Sequence, residues 1–175
     1  SIYITNNTNV VNVAISGGMF NTKVGCYDAT KEGAKGCIVG GTFTADAINN
    51  TSDKLIAYGY KAVEENGVYV VRKPQELIDF ENAIAQGGEV TLDADITLAE
   101  TVVVESGKTV VINLNGKTLT ATDYAIENYG TLTINGNGTI NGVVYGENGT
   151  TTVENGTFNP ADGGVYVFLN SQGGT

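Results

Sequence analysis

The chain has no histidine and no tryptophan, and its 175 residues include only two cysteines, two prolines and one methionine. Arg72 is the one arginine. Without an imidazole, every mechanism built on a histidine base or a histidine metal ligand is excluded. Two cysteines are too few for a zinc site made of cysteine alone, which takes four. Charge is sparse and one-sided, with nine Lys and Arg against 19 Asp and Glu, a net charge of −10. Nucleic acids and anionic membranes are recruited by positive patches that release counterions, so neither is expected as a partner. No apolar run approaches the ~20 residues needed to span a bilayer, so no membrane insertion is expected. The length leaves room for one domain or two small ones and a sizeable core, but not for a multidomain enzyme.

What the sequence does have is glycine, 24 residues of it, together with many Asn, Thr and Val. Disordered acidic chains are instead rich in charge and poor in Val, Ile and Leu. The composition reads as many short strands punctuated by Gly and Asn turns. The first residue is Ser1 and no signal peptide precedes it, so the chain is expected to be processed or to be an excerpt.

One short template recurs: an aliphatic residue, turn residues including Gly, a small polar residue, then a large apolar one. It is spelled Ile15-Ser-Gly-Gly-Met-Phe20, Ile38-Val-Gly-Gly-Thr-Phe43, Leu114-Asn-Gly-Lys-Thr-Leu119, Ile134-Asn-Gly-Asn-Gly-Thr-Ile140 and Val153-Glu-Asn-Gly-Thr-Phe158. Alternating strands such as Val110–Leu114 and Leu132–Ile134 lead into it. A repeat near 20 residues with a Gly-rich corner describes the coil of a parallel β-solenoid. Coils stacked at about 4.8 Å would align Ile, Val, Leu and Phe in columns. The corner glycines, Gly18, Gly41, Gly116, Gly138 and Gly156, are expected to be structural. Asn115 and Asn135 are expected at equivalent corner positions, amide above amide. An antiparallel sandwich would account for the turns but not for a recurring coil length.

The middle of the chain breaks the pattern. Thr51–Gly59 begins with capping residues and ends in Gly, as a short helix does. Tyr60–Val63 and Val68–Val71 flank Glu64-Glu-Asn-Gly67, whose Asn-Gly signals a hairpin. The strongest helix runs from Pro74 to Gln86, with Leu77, Phe80 and Ile84 on one face and Gly87-Gly88 as its stop.

These segments resemble the pectin-lyase-like right-handed β-helix repeats of bacterial surface proteins and phage virion proteins. The likeness is carried by the corners Gly40-Gly-Thr-Phe43 and Asn155-Gly-Thr-Phe158, and by Gly59–Val71, which is similar to the element that closes such a helix. Glu76–Leu98 followed by Val111–Leu119 is similar to the start of another. The resemblance implies a mainly β fold of right-handed parallel β-helix coils with a central cap region holding a hairpin and one short α-helix. It divides the chain into terminal coils of a first β-helix (1–50), a closing cap (51–73), an opening cap (74–98) and coils of a second β-helix (99–175). With the caps in the middle, both ends are uncapped edges, which recruit other chains. Further coils before Ser1 and after Thr175, or a neighbouring subunit, are expected to cover them.

Lyases of this architecture pair a basic residue with a calcium cluster, whereas Arg72 lies in the cap and Lys108 and Lys117 have no acidic cluster beside them. Hydrolases of this kind group their aspartates, and here only Asp123 and Asp162 stand in the coils. No catalytic residue and no cofactor is expected. Glu127 and Glu147, 20 residues apart, are the weak candidates for a metal site if stacking brings their carboxylates together. Asp93 and Asp95 lack the Gly and distal Glu of a calcium loop. Tyr124, Tyr145 and Tyr166 fall 21 residues apart, and on one outer face they would form a platform for sugar rings; a one-residue slip would turn Tyr145 away. Cys26 and Cys37 flank a polar loop and form either a disulfide across it or two thiols near a turn.

Together these features point to a non-catalytic, extracellular structural module. It would be a rigid β-helix of a phage virion fibre or decoration, or of a bacterial surface adhesin, self-associating or joining neighbouring subunits through open solenoid ends. The other reading is a carbohydrate-binding or carbohydrate-processing domain that engages a host-surface glycan.

Overall fold

The computed structural model describes residues 2–4, 14–26, 36–161 and 164–171, with backbone only for residues 2–4 and for Cys26. The fold is mainly β with parallel sheets, and the chain divides into two compact units, Ser1–Pro74 and Gln75–Thr175.

In the first unit, β1 (Ile2–Ile4) pairs in parallel with β3 (Val24–Cys26), and β2 (Met19–Phe20) with β4 (Thr42–Phe43). Parallel bridges join Ile15 to Ile38 and Ile38 to Ile56. The parallel run ends at a hairpin, β5 (Lys61–Glu65) and β6 (Val68–Arg72), whose second strand pairs antiparallel with β4. Its turn residues Asn66 and Gly67 have φ of 53° and 83°, the left-handed pair that a two-residue hairpin loop demands. Ile15, Ile38, Phe43, Leu55 and Val71 form the core with Cys37, and the Phe20 and Phe43 rings stack 4.7 Å apart.

The helix of this unit is not where the capping signals at Thr51–Gly59 placed it. That stretch holds only a 3-10 turn, Asp53–Leu55, while α1 occupies Ala45–Asn49. Thr44 caps α1 by accepting from the Ala47 N–H at 3.2 Å. Thr51 is instead consumed by packing: its hydroxyl donates to Ala47 O and accepts from Val24 N, and the residue is buried. The fold therefore has two α-helices rather than one.

The second unit opens with α2 (Gln75–Gln86), which buries Leu77, Phe80 and Ile84 against the first strands that follow. One sheet runs β7 (Gly88–Thr91), β10 (Thr109–Asn113), β12 (Thr131–Asn135), β14 (Thr150–Val153). The other runs β8 (Ile96–Thr97), β11 (Thr118–Asn128), β13 (Thr139–Gly146), β15 (Thr157–Asn159). There β9 (Val102–Val104) also pairs with β11, and β16 (Phe168–Asn170) with β13. Every pairing among the described residues of this unit is parallel.

Parallel register sets like on like. Val90, Ile112, Ile134 and Val153 form one rank; Ile96, Leu119, Ile140 and Phe158 a second. Val102, Ile126, Val144 and Phe168 form a third. The inner members are fully buried, each such aliphatic contributing about 1.5–3 kcal/mol. On an outer rank Asn159 donates to Asn141 Oδ1 at 2.9 Å, and Asn141 reaches Thr120 Oγ1 at 3.4 Å.

Register corrects one corner alignment. Asn135 pairs with Asn113, not with Asn115. The buried alternation Val110, Ile112 over Leu132, Ile134 fixes the pairing, and the corner beyond it absorbs the difference. Asn115 instead adopts φ 47° and donates to Leu92 O at 3.0 Å.

Candidate functional site

The long strand β11 carries Ile126 and Asn128 inward, both fully buried, so Glu127 and Tyr129 fall to the outer side. Ala125 is buried as well, so the alternation breaks between it and Ile126 and leaves Tyr124 half-buried. On β13, Val144 is buried and Tyr145 alternates with it. The pairing is irregular between Thr120 and Ile126, and the interval between partners shortens from Thr118↔Thr139 to Ile126↔Val144. That shift decides which candidates meet.

Tyr124 and Tyr145 are brought edge to face, with ring centroids 5.8 Å apart and an interplanar angle of 70°. Such a pair is worth about 0.5–1.5 kcal/mol beyond its buried area. Tyr166 does not join them. Register places Leu169 beside Tyr145, and Tyr166 lies in the segment before β16, 59% exposed. The 21-residue spacing therefore does not produce a three-ring column.

Glu127 and Glu147 are not register partners either, because Glu127 pairs with Tyr145. Both carboxylates instead act on Tyr129. Partial desolvation, the charges of Glu127 and Glu147, and a hydrogen bond to Glu147 hold its phenol above its ordinary range. Among the described residues, no three of His, Cys, Asp and Glu gather into a group suited to a metal ion. What the arrangement offers is three half-buried tyrosines interleaved with two carboxylates. Apolar ring edges and hydrogen-bond acceptors of that kind can meet a polyhydroxylated ligand.

Beneath this face lies Asn128, fully buried, a residue to which sequence reasoning assigned no role. Its amide donates to Thr150 O and Thr151 Oγ1, at 3.0 and 2.9 Å, and accepts from Gly130 N at 3.0 Å. One buried side chain thus ties the β11 corner to β14. Only the pattern Asn-x-Gly, an Asx turn, hinted at half of that role.

The corner glycines serve two ends. Gly18, Gly41, Gly116 and Gly156 have positive φ, whereas Gly138 does not. A Cβ on Gly138 would lie 2.5 Å from Leu114 Cβ and 2.6 Å from Lys117 O, so that position is needed for close approach. Cys37 is buried in the first unit's core; the Cys26 side chain and loop residues 27–35 lie outside the described residues, as does Asp162.

The two ends of the second unit differ. At one, α2 covers the first strands. At the other, β14, β15 and β16 have no further strand beside them among the described residues. There Val153 is 43% and Phe168 41% exposed, although the residues ranked behind them, Ile134 and Val144, are at 0% and 1%. A cleft of about 300 Å³ opens between them, lined by Val144, Thr151, Val153, Phe168 and Leu169.

No protein-family model matches the chain, and comparison with curated proteins and with solved structures returns no match. Among the described residues no helix is long and apolar enough to cross a membrane.

Proposed function

We propose that this protein is a non-catalytic structural module of an extracellular surface, a right-handed parallel β-helix that assembles through an open end. The supporting observation is the asymmetry of the second unit. Its apolar ranks are sealed by α2 at one end and break the surface at Val153 and Phe168 at the other. An unpaired parallel edge backed by exposed apolar side chains is a template for another chain. The acidic, sparsely charged surface and the resemblance to virion and bacterial surface repeats favour a fibre, decoration or adhesin component. Phe168→Asp tests this. Wild-type mass, measured by sedimentation, should rise with concentration, while the variant stays at the mass of one chain. A wild-type protein that remains at one-chain mass throughout would overturn the reading.

A second reading is favoured by the outer face of β11 and β13, where Tyr124, Tyr145 and Tyr129 stand with Glu127 and Glu147. Under it, the face binds glycan. Tyr124→Ala and Tyr145→Ala should then abolish binding in a glycan screen while leaving assembly unchanged, and Tyr166→Ala should have little effect. A wild-type chain that retains no glycan would remove this reading.

A further inference from the structure

We infer that the groove between α2 and the segment that follows it is a docking site for a basic, extended peptide segment of a partner protein. Its lysines or arginines meet the acidic rim and its apolar side chains rest on the floor. The groove lies wholly within the second unit, and none of its residues belongs to the β11–β13 face or to the open end.

Charge is divided unevenly along the chain. Residues 1–74 carry seven Lys and Arg against six Asp and Glu, a net charge of +1. Residues 75–175 carry two Lys against thirteen Asp and Glu, a net charge of −11. Eight of those thirteen carboxylates fall within residues 75–105, a stretch without a single Lys or Arg. Solvated acidic side chains need no partner, so their number alone makes no site. What sets four of the eight apart is that they line one groove.

That groove, of about 430 Å³, runs between α2 and residues 89–96. Glu76, Asp79 and Ala83 form the helix wall, three and four residues apart and so on one side of α2. The strand wall is Glu89, Thr91 and Asp93, all exposed, alternating with the half-buried Val90 and the buried Leu92. Between the walls the floor is apolar, with Ala83, Val90 and Ala94 half-buried over Phe80 and Leu92. Ala83 and Ala94 are too short to fill the space, which keeps it open. The Gln75 amide donates to Asp79 Oδ1 at 2.8 Å and holds that carboxylate on the rim.

Charge and shape together select the occupant. Among the described residues no three of His, Cys, Asp and Glu gather into a group suited to a metal ion. The carboxylates are instead spread along the groove, so the cation they suit is spread as well. From Glu76 to Ala83 the helix wall runs about 10 Å at 1.5 Å per residue. About three residues of extended chain cover that length. Successive side chains of such a segment point to opposite faces, so aliphatic residues reach the floor while Lys or Arg meets the rim. An anionic segment is repelled, and a neutral one would desolvate the carboxylates without compensation. Rim charges of this kind steer encounter and choose the partner.

The probe is a short fluorescein-labelled peptide of alternating Lys and Leu, titrated with the full chain by fluorescence anisotropy. It should bind saturably, and more weakly as salt is raised. The paired variant Asp79→Asn with Glu89→Gln, at exposed positions and close in shape to the wild type, should weaken binding about fivefold. Glu105→Gln with Glu154→Gln removes the same charge outside the groove and should change binding by less than about twofold, exposed charge there being screened by salt. Ala83→Phe fills the groove without altering charge and should abolish binding while circular dichroism stays unchanged; should it lose its fold, Ala94→Leu replaces it. A wild-type chain that does not bind the peptide overturns the inference, as does an equal loss in the two paired variants. Spermine that displaces the peptide with the peptide's own affinity would assign the groove to a small polyamine and overturn it too. So would a multimer mass in light scattering that falls to one chain in Asp79→Asn with Glu89→Gln, which would assign the groove to a second copy.

Discussion

Side chains that the fold admits at its corners show most directly what holds the coils together. Gly138 is constrained by space and Gly67 by conformation: a Cβ at Gly67 meets nothing within 4 Å, but its φ is +83°. Gly67→Ala should cost about 1 kcal/mol, the price of a left-handed L-residue. Gly138→Ala, forced into Leu114 and Lys117, should cost more, about 1–3 kcal/mol as an overpacked site, and thermal melts should rank the two in that order. Asn128→Ala removes the three hydrogen bonds of a buried amide, to partners that are only partly covered, and should destabilise by about 1–3 kcal/mol in urea titrations. Tyr129 carries a pH signature. A phenol held higher in the folded chain than its ordinary value of about 10 stabilises the fold below that value. This stability is lost as pH rises through the folded pKa. In ultraviolet titration, with Tyr129→Phe as the blank, Glu147→Gln should move the Tyr129 transition to lower pH. An unmoved transition would show that Glu147 does not act on the phenol. The corner glycines were legible in the sequence as residue types, whereas Asn128 was not, because its partners lie 22 and 23 residues away.

Elements with local signals were the readable ones. Asn66-Gly67 announced the hairpin, and Pro74 together with the Leu77, Phe80, Ile84 stripe announced α2. Thr51 misled because a capping hydroxyl is equally useful as a buried tie between α1 and β3. Register was the least legible level. The corner motif suggested one alignment of Asn115 with Asn135, and the inward alternation of β10 and β12 enforced another. The β11–β13 pairing shifts at an irregularity that no local pattern marks, which separates Glu127 from Glu147; Tyr166 is removed from the other two rings by the β13–β16 register, which sets Leu169 beside Tyr145. For α2 the expected consequence is direct. Phe80 is 2% exposed, so Phe80→Ala should cost about 3–5 kcal/mol and lower the melting temperature of the second unit. A change under 1 kcal/mol would mean the helix does not seal that end.

For the whole molecule, the parallel sheets have one consequence that outweighs any single contact: a stack of like strands has no natural stop. The second unit stops at α2 on one side and, on the other, leaves Val153 and Phe168 half exposed over fully buried ranks. Composition had already indicated strands and turns, and the repeat had indicated parallel stacking. Which end is sealed became visible only from burial. Amide hydrogen exchange, run on the same chain at low and high concentration, tests the central claim most directly. Protection should rise with concentration at Val153–Phe158 and Phe168–Asn170 and remain unchanged along α2. Protection that does not depend on concentration, or that rises along α2 instead, would contradict assembly through the open end.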